Sequence, residues 1–420
     1  MRRVEQHVIK RSHAKFGEID ALAFASKNLW NLANYYARQS FIFQGKYLNN
    51  AALYPLLKHT DAYKALPAKV ANQVLIQLDK AWQSFFEAND EYKADPSQFT
   101  GRPKLPKYKH KTEGRNLLVF ELGAIWKGSL KYQEVAVSQL GLLVLTQQAP
   151  KTIDQVRIVP KGNYYVVEVI YEKESQPATL DRSLFVSIDL GVNVLATLTS
   201  NKPGFVPLLV NGRPLKALNQ FYNKQRAAAQ SRLAKGSEKR HTSHFLEAIT
   251  TKRNRRILHD LHTVSRRIID LLQAEGIGTL IIGKNPFWKQ EVNLGKKHNQ
   301  EFVQLPHARL IEMLQYKAEM VGITAILTEE SYTSKASFLD RDRLPKYDPS
   351  QGAEQEDKPR FSGTRQGRWY KVKGRPPIHS DVNGSYNIGR KVFPTAFDGL
   401  GIGGAAVRPV RFNGEALRSR

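Results

Sequence analysis

Apolar residues recur at helical spacing through the first hundred positions and at strand spacing beyond them. Leu22, Ala25, Leu29, Leu32 and Tyr36 fall on one helical face, and Val70, Val74, Leu78, Ala81 and Phe85 repeat the pattern, which predicts a helical lobe over 14–100 with Trp30, Trp82 and Phe85 in its core. Ahead of it, residues 1–13 read as an isolated strand. Proline and glycine in Asp95-Pro-Ser-Gln-Phe-Thr-Gly-Arg-Pro103 end the lobe. From about 116 to 174 the pattern turns to β, and Val156–Pro160 and Tyr164–Tyr171 flank Lys161-Gly-Asn163 as a hairpin. Joined by the first strand, residues 101–175 are expected to close a small β-barrel that the helical lobe interrupts. The polar stretch around Pro177 makes 176–183 a linker.

The second half alternates strand and helix. Strands are expected at 184–190, 193–200, 206–210, 278–283 and 323–329, and helices at about 214–235, 243–275, 304–321 and 381–392. Three strands followed by helix, strand, helix, strand and helix is the order of an RNase H-like domain, where carboxylates from the first strand, a later strand and the last helix meet. Residues 394–420, rich in Gly, Arg and Pro, are expected to form a disordered tail. The fold class is therefore α+β and multidomain: an N-terminal β-barrel interrupted by a helical lobe, then an RNase H-like α/β domain.

Charge narrows the function. The 420 residues carry a formal net charge of +26, a field that attracts polyanions. No apolar run approaches the roughly 20 residues of a spanning helix, so the polyanion is expected to be nucleic acid, not membrane. Met1-Arg-Arg-Val-Glu-Gln-His lacks the apolar core of a signal peptide, and the chain is expected in the prokaryotic cytoplasm or nucleoid. With no cysteine, thiolate zinc sites are excluded, and no zinc is expected. Five cations and an aromatic, Arg102, Lys104, Lys107, Tyr108, Lys109 and Lys111, lie on a segment stiffened by Pro103 and Pro106. They read as a solvated loop or, as we favour, a strip whose cations meet phosphates while Tyr108 stacks on a base or sugar.

The chemistry centres on acids. Asp189 lies in the apolar strand Phe185-Val-Ser-Ile-Asp-Leu-Gly191, and Asp381 opens a helix in His379-Ser-Asp-Val-Asn-Gly-Ser-Tyr-Asn387. A carboxylate in such a strand is costly unless paired or bound to a cation, so the two suggest a Mg²⁺ site facing a phosphodiester. Hydrolysis with two metal ions about 3.5–4 Å apart calls for a third acid. The strand Thr279-Leu-Ile-Ile-Gly-Lys-Asn285 offers only Gly283 and Lys284, whereas Thr324-Ala-Ile-Leu-Thr-Glu-Glu330 ends in two glutamates, of which strand alternation allows one to face the metals.

Three segments carry a resemblance to a known family. Asp-Leu-Gly-Val-Asn-Val-Leu-Ala-Thr-Leu from Asp189, Tyr-Thr-Ser-Lys from Tyr332 and Asp-Val-Asn-Gly-Ser-Tyr-Asn-Ile from Asp381 resemble the RuvC-type signatures of TnpB, the transposon-encoded RNA-guided DNA nucleases related to type V CRISPR effectors. Asn211-Gly-Arg-Pro-Leu-Lys216 and the basic run Lys252-Arg-Asn-Arg-Arg-Ile257 extend the likeness. Two departures stand out. Most members place Glu where this chain has Gly283-Lys284; relatives including the Fanzor proteins carry it one strand later, at the position of Glu330. The family's two Cys pairs are also missing, which leaves 336–377 as a cysteine-free insertion in place of a zinc ribbon, read as a metal-free remnant that covers or gates the active site.

The resemblance implies a wedge domain (1–13 and 101–175), a recognition lobe (14–100) and a RuvC-like nuclease domain (184–335 and 378–393). It implies an RNA-guided DNA endonuclease with catalytic, metal-binding Asp189, Glu330 and Asp381 and two Mg²⁺ ions. Its partners would be a guide RNA from the transposon end and target double-stranded DNA next to a short flanking motif, with the protein a monomer on its RNA. Arg253, Arg255, Arg256, Lys289 and Lys335 are expected to join the 102–111 cations in contacting nucleic acid. The alternative is a nuclease-inactive relative that binds DNA under RNA guidance as a repressor, a reading favoured by the missing acid at Gly283.

Overall fold

The computed structural model describes residues 1–148, 152–174, 178–235, 242–284, 305–345, 360–398 and 409–412. The chain separates into two compact units, Met1–Lys173 and Glu174–Arg420.

In the first unit, β1 (Arg2–Lys10) precedes helices α1 (Phe16–Gln44), α2 (Asn50–Leu57), α3 (Asp61–Lys64) and α4 (Ala68–Ala94). Then come β2 (Leu118–Glu121), α5 (Lys127–Leu130), β3 (Glu134–Val137), β4 (Gly141–Leu145), β5 (Ile153–Pro160) and β6 (Tyr164–Glu172). The α4 face Val70, Val74, Leu78 and Trp82 is buried against α1, and Trp82 Nε1 donates to Asn34 Oδ1 at 3.2 Å. Phe41, Tyr47, Phe85 and Phe86 surround Trp82 with centroids 5.3–6.0 Å away. Trp30 and Phe85 are only partly buried.

The first strand joins the sheet formed by the later strands of this unit. It pairs antiparallel with β6 along its whole length, from Arg2↔Glu172 to Lys10↔Tyr164. The sheet runs β1-β6-β5-β2, and among the described residues it does not close into the expected barrel, because β3 and β4 pair with each other instead of bridging β2 to β1.

The second unit holds β7 (Asp181–Leu190), β8 (Val194–Ser200), β9 (Leu208–Asn211), α6 (Arg213–Ala234), α7 (His244–Ala274), β10 (Ile277–Gly283), α8 (His307–Met320) and β11 (Thr324–Thr328). It continues with β12 (Gly363–Gln366), β13 (Trp369–Val372), β14 (Ile378–His379), α9 (Ser380–Val392) and β15 (Val410–Phe412). Its main sheet has the order β11-β10-β7-β8-β9-β15. The β7-β8-β9 meander is antiparallel, whereas β10, β11 and β15 join in parallel.

Both faces of this sheet are covered, as the unbroken apolar run of β10 requires. Val186, Ile188, Leu280 and Ile282 pack with Ile257, Leu261 and Ile268 of α7 and Leu310 and Leu314 of α8. Phe185 and Ile281 point the other way, to Val382, Tyr386 and Ile388 of α9. Period-two alternation therefore sends Ser187 and Asp189 toward α9.

The disordered tail expected over 394–420 is corrected in part. Phe397 is buried against Phe338 and Tyr386, and Val410–Phe412 pair with Leu208–Val210. Residues 399–408 and 413–420 of that tail, Lys289 and residues 346–359 of the insertion lie outside the described residues. No helix among the described residues is long and apolar enough to cross a membrane.

Candidate active site

Asp189 pairs with Thr197 of β8 and lies beneath α9, which packs across β7, β8 and β10. A buried hydroxyl cluster docks the helix: Ser385 Oγ lies 2.9 Å from Ser187 O and 2.9 Å from Thr199 Oγ1, which lies 2.8 Å from Ser187 Oγ. The helix begins with His379 as N-cap, its Nδ1 accepting from Asp381 N at 3.3 Å. Asp381 thereby occupies the first turn, where the helix dipole favours a carboxylate. Close approach depends on Gly384, since a Cβ there would lie 2.8 Å from Asp189 Oδ2. Asp189, Asp381, Thr197, Arg365 and the turn Gly191–Val194 line one cleft of about 200 Å³.

The two glutamates part in the irregular segment beyond the strand, not by strand alternation. β11 ends at Thr328, opposite Gly283, and both glutamates lie past it. Glu329 is bound by the Lys391 ammonium of α9 and accepts from Ser331 N at 2.8 Å. Burial pushes its carboxyl up, but Lys391 and Ser331 outweigh this and hold it below the ordinary value.

Glu330 turns to Gly283 instead. A Cβ on residue 283 would stand 2.7 Å from Glu330 Oε2 and 2.6 Å from Ile388 Cδ1, so the carboxylate of the later segment fills the space a side chain at 283 would need. Burial, followed by the charge of Glu329, pushes the Glu330 carboxyl up to about 7 against the pull of Lys391. Asp189 keeps some exposed surface yet lies deep among protein atoms. Burial first, then Glu330 and Asp381, raise it well above the ordinary range, and Arg365 opposes them. Glu330 is therefore within electrostatic reach of Asp189 but does not line the cleft that Asp189 shares with Asp381.

Several positioning groups escaped the sequence reading. Asn383 and Asn387, both fully buried, donate to Ala336 O at 2.7 and 2.8 Å, and Asn387 also reaches Thr333 O at 2.9 Å. They tie the segment after Glu330 to the helix that carries Asp381. Both stand in the Asp381–Asn387 motif, so the signal was present without its role. Lys391 and Arg365 carried no such mark. Arg365, on β12, donates through Nη2 to Asp381 Oδ1 at 3.0 Å.

The donor set suits a hard divalent cation: carboxylate oxygens, that of Asp189 raised in proton affinity by burial and by Glu330 and Asp381, beside a helix backbone without a side chain at Gly384. Among the described residues no three acidic or histidine groups converge closely enough to form a ready-made cage. Gly384→Ala should gain helix propensity yet displace the Asp189 carboxylate. We expect an unchanged or slightly raised melting temperature together with Ca²⁺ affinity lowered about 10-fold or more, measured by calorimetry.

The cationic segment is hung on α1 by its backbone. Asn34 Nδ2 and Arg38 Nη1 donate to Pro106 O, both at 2.9 Å, and Asn31 brackets Lys109 through its N and O at 2.8 and 2.9 Å. Lys27 Nζ reaches Lys111 O at 2.6 Å and Trp30 Nε1 reaches Lys107 O at 3.3 Å. Arg102, Lys104, Lys107, Tyr108 and Lys111 are left exposed. Lys109 instead turns its ammonium over the Trp30 ring at 4.7 Å, and burial lowers its proton affinity. On α7, Arg255 and Arg256 are exposed, whereas Arg253 packs over Tyr222 and bonds Asn219 at 2.7 Å. Lys335 is exposed near Tyr332.

Two family profiles match the chain: OrfB_IS605, described as a probable transposase, over residues 168–287, and the Cas12f1-like TNB domain over 307–388. The first span contains Asp189, and the second Glu330, Arg365 and Asp381. The TnpB-like protein ORF457 of Acidianus two-tailed virus is 24% identical over 412 residues, covering 88% of this chain and 82% of its own. A chain of the Cas12f1–sgRNA–target DNA complex, solved by cryo-electron microscopy, is similar in fold, with a TM-score of 0.50 at 13% identity over 89% of this chain and 83% of that one. Matched by profiles that together contain its acid cluster and aligned over most of its length with a TnpB-like protein, the chain is similar to TnpB-like proteins.

Proposed function

We propose that the protein is an RNA-guided DNA endonuclease whose second unit is a RuvC-like nuclease domain. The observation that carries the reading is the shared cleft of Asp189 and Asp381, with Glu330 in electrostatic reach, on a chain of net charge +26. The Cas12f1 relative in complex with sgRNA and target DNA supports guide RNA and target DNA as partners. Mg²⁺ held by the three carboxylates would supply water activation and leaving-oxygen stabilisation. The chain's own part is to hold Asp189 and Asp381 at one cleft wall, to keep Glu330 beside Gly283, and to grip phosphates through exposed cations. Base pairing would read the target, and the protein would read a short flanking motif. The first sheet and its helices would form the wedge and recognition domains. We further read the chain as zinc-free and monomeric on its RNA, with a guide from a transposon end, acting in the prokaryotic cytoplasm.

The test is to purify the full chain, sequence the RNA that accompanies it, and reconstitute cleavage on DNA matching that RNA. Expected are a discrete RNA species and Mg²⁺-dependent cutting of matched DNA only; absence of such an RNA would sink the guided reading. The repressor alternative keeps one supporting observation, Asp381 paired with Arg365, and guided binding without cutting would establish it.

Cation binding should depend on pH. Folding raises Glu330 from an ordinary 4.5 to about 7, so its protonated form favours the native state. That stabilisation is complete below pH 4.5 and is lost as pH rises through about 7. A divalent cation needs the deprotonated acid and would restore stability above that point. Thermal melts in Ca²⁺ and in EDTA should show a larger cation-induced rise at pH 8 than at pH 6; equal rises would refute the coupling.

A further inference from the structure

We propose that Arg365 is the resident counter-ion of the acid cleft, and that a divalent cation binds by displacing its guanidinium from Asp381. The inference rests on the metal-site reading above and concerns how that site is kept in the absence of metal.

Three observations carry it. The guanidinium sits on Asp381 Oδ1 at 3.0 Å and lines the same cleft as Asp189, where a cation serving both acids would stand. Arginine does not deprotonate in proteins, so its charge can leave the acids only by movement of the side chain. That side chain is able to move: it is 47% exposed, and besides Asp381 it donates to Gly367 O of its own hairpin at 3.3 Å.

The strand bearing it is anchored elsewhere. On β13, paired with β12, Tyr370 is 1% exposed and its hydroxyl donates to Lys335 O at 2.7 Å. Ahead of β12, Ser362 is fixed to Asp342 by its N and Oγ, at 2.9 and 2.5 Å. The exchange is therefore a swing of one side chain over a fixed hairpin. The insertion then does more than cover the acids: it supplies the charge that keeps them together until a cation arrives.

The test is calorimetric titration of the full chain with Ca²⁺, paired with thermal melts in EDTA and in saturating Ca²⁺. Arg365→Ala should bind Ca²⁺ about two- to fivefold more tightly than wild type, the scale of a half-exposed ion pair. It should melt below wild type in EDTA and close that gap in Ca²⁺, whereas a purely structural role would leave the gap unchanged. Arg365→Gln keeps the stem and should behave alike, which guards against a folding defect in the alanine variant. Arg368→Ala removes a neighbouring charge that does not bond Asp381, and should leave affinity near wild type. Binding that is lost in Asp381→Ala but unaltered in both Arg365 variants would overturn the counter-ion alone. No saturable binding in wild type or in either variant would remove the metal-site reading and the counter-ion with it.

Discussion

Alanine at Asp189 or at Asp381 should abolish Mg²⁺-dependent cleavage, by on the order of 10³-fold or more, while DNA binding stays within a few fold. Metal ligands act in the chemical step, whereas affinity for a polyanion comes from counterion release at cations such as Lys104, Lys107 and Lys111 on the other unit. The Asp189 variant has a second signature. Its carboxyl is raised well above the ordinary range by burial and by Glu330 and Asp381, so the ionised acid destabilises the metal-free fold. Asp189→Ala should therefore melt no lower than wild type in EDTA at pH 8. Parallel loss of cutting and binding in both variants, or a collapse in melting temperature, would assign the two aspartates a structural role instead.

Glu330→Gln should inactivate cleavage and Glu329→Gln should retain most of it, with opposite effects on stability. Glutamine keeps size and hydrogen bonding but removes the charge that holds cations. At Glu330 it also removes a buried carboxylate pushed up to about 7, so the metal-free protein should gain stability at pH 8. At Glu329 it weakens the pair with Lys391, whose side chain is only 5% exposed, at a cost of about 1–3 kcal/mol. Cleavage assays and melts on the same two variants separate the roles. If Glu329→Gln is the inactive one, the roles of the neighbours are exchanged; if neither slows cutting, the third acid lies elsewhere.

What the sequence disclosed was local. The helical faces of α1 and α4, the β7–β10 strands and the entry of Asp381 into a helix all follow from periodicity within about ten residues, and the structure has those elements close to the expected bounds. What it concealed was pairing across distance. The first strand is expected from sequence to join the 101–175 strands, but its partner β6, more than 150 residues away, is not legible, and Val410–Phe412 vanished into a Gly-rich tail because three residues carry no period. At the candidate site, the opposed orientation of Glu329 and Glu330 was expected from alternation, but the strand stops at Thr328 and the separation is the work of Lys391, 62 residues on. Arg365 was hidden by composition: in a polar, basic insertion, nothing distinguishes the one arginine that a two-residue hairpin turn returns to Asp381.

The grip of α1 on the 102–111 segment separates two properties that usually trade against each other. Asn31, Asn34, Arg38 and Lys27 hold backbone carbonyls, which every residue type supplies, and an amide, which all but proline supply, so this hold does not draw on the outward side chains at 102, 104, 107 and 111. Their charge can be rewritten one position at a time, by natural drift or by design, and the hold on nucleic acid adjusted in small steps without spending stability.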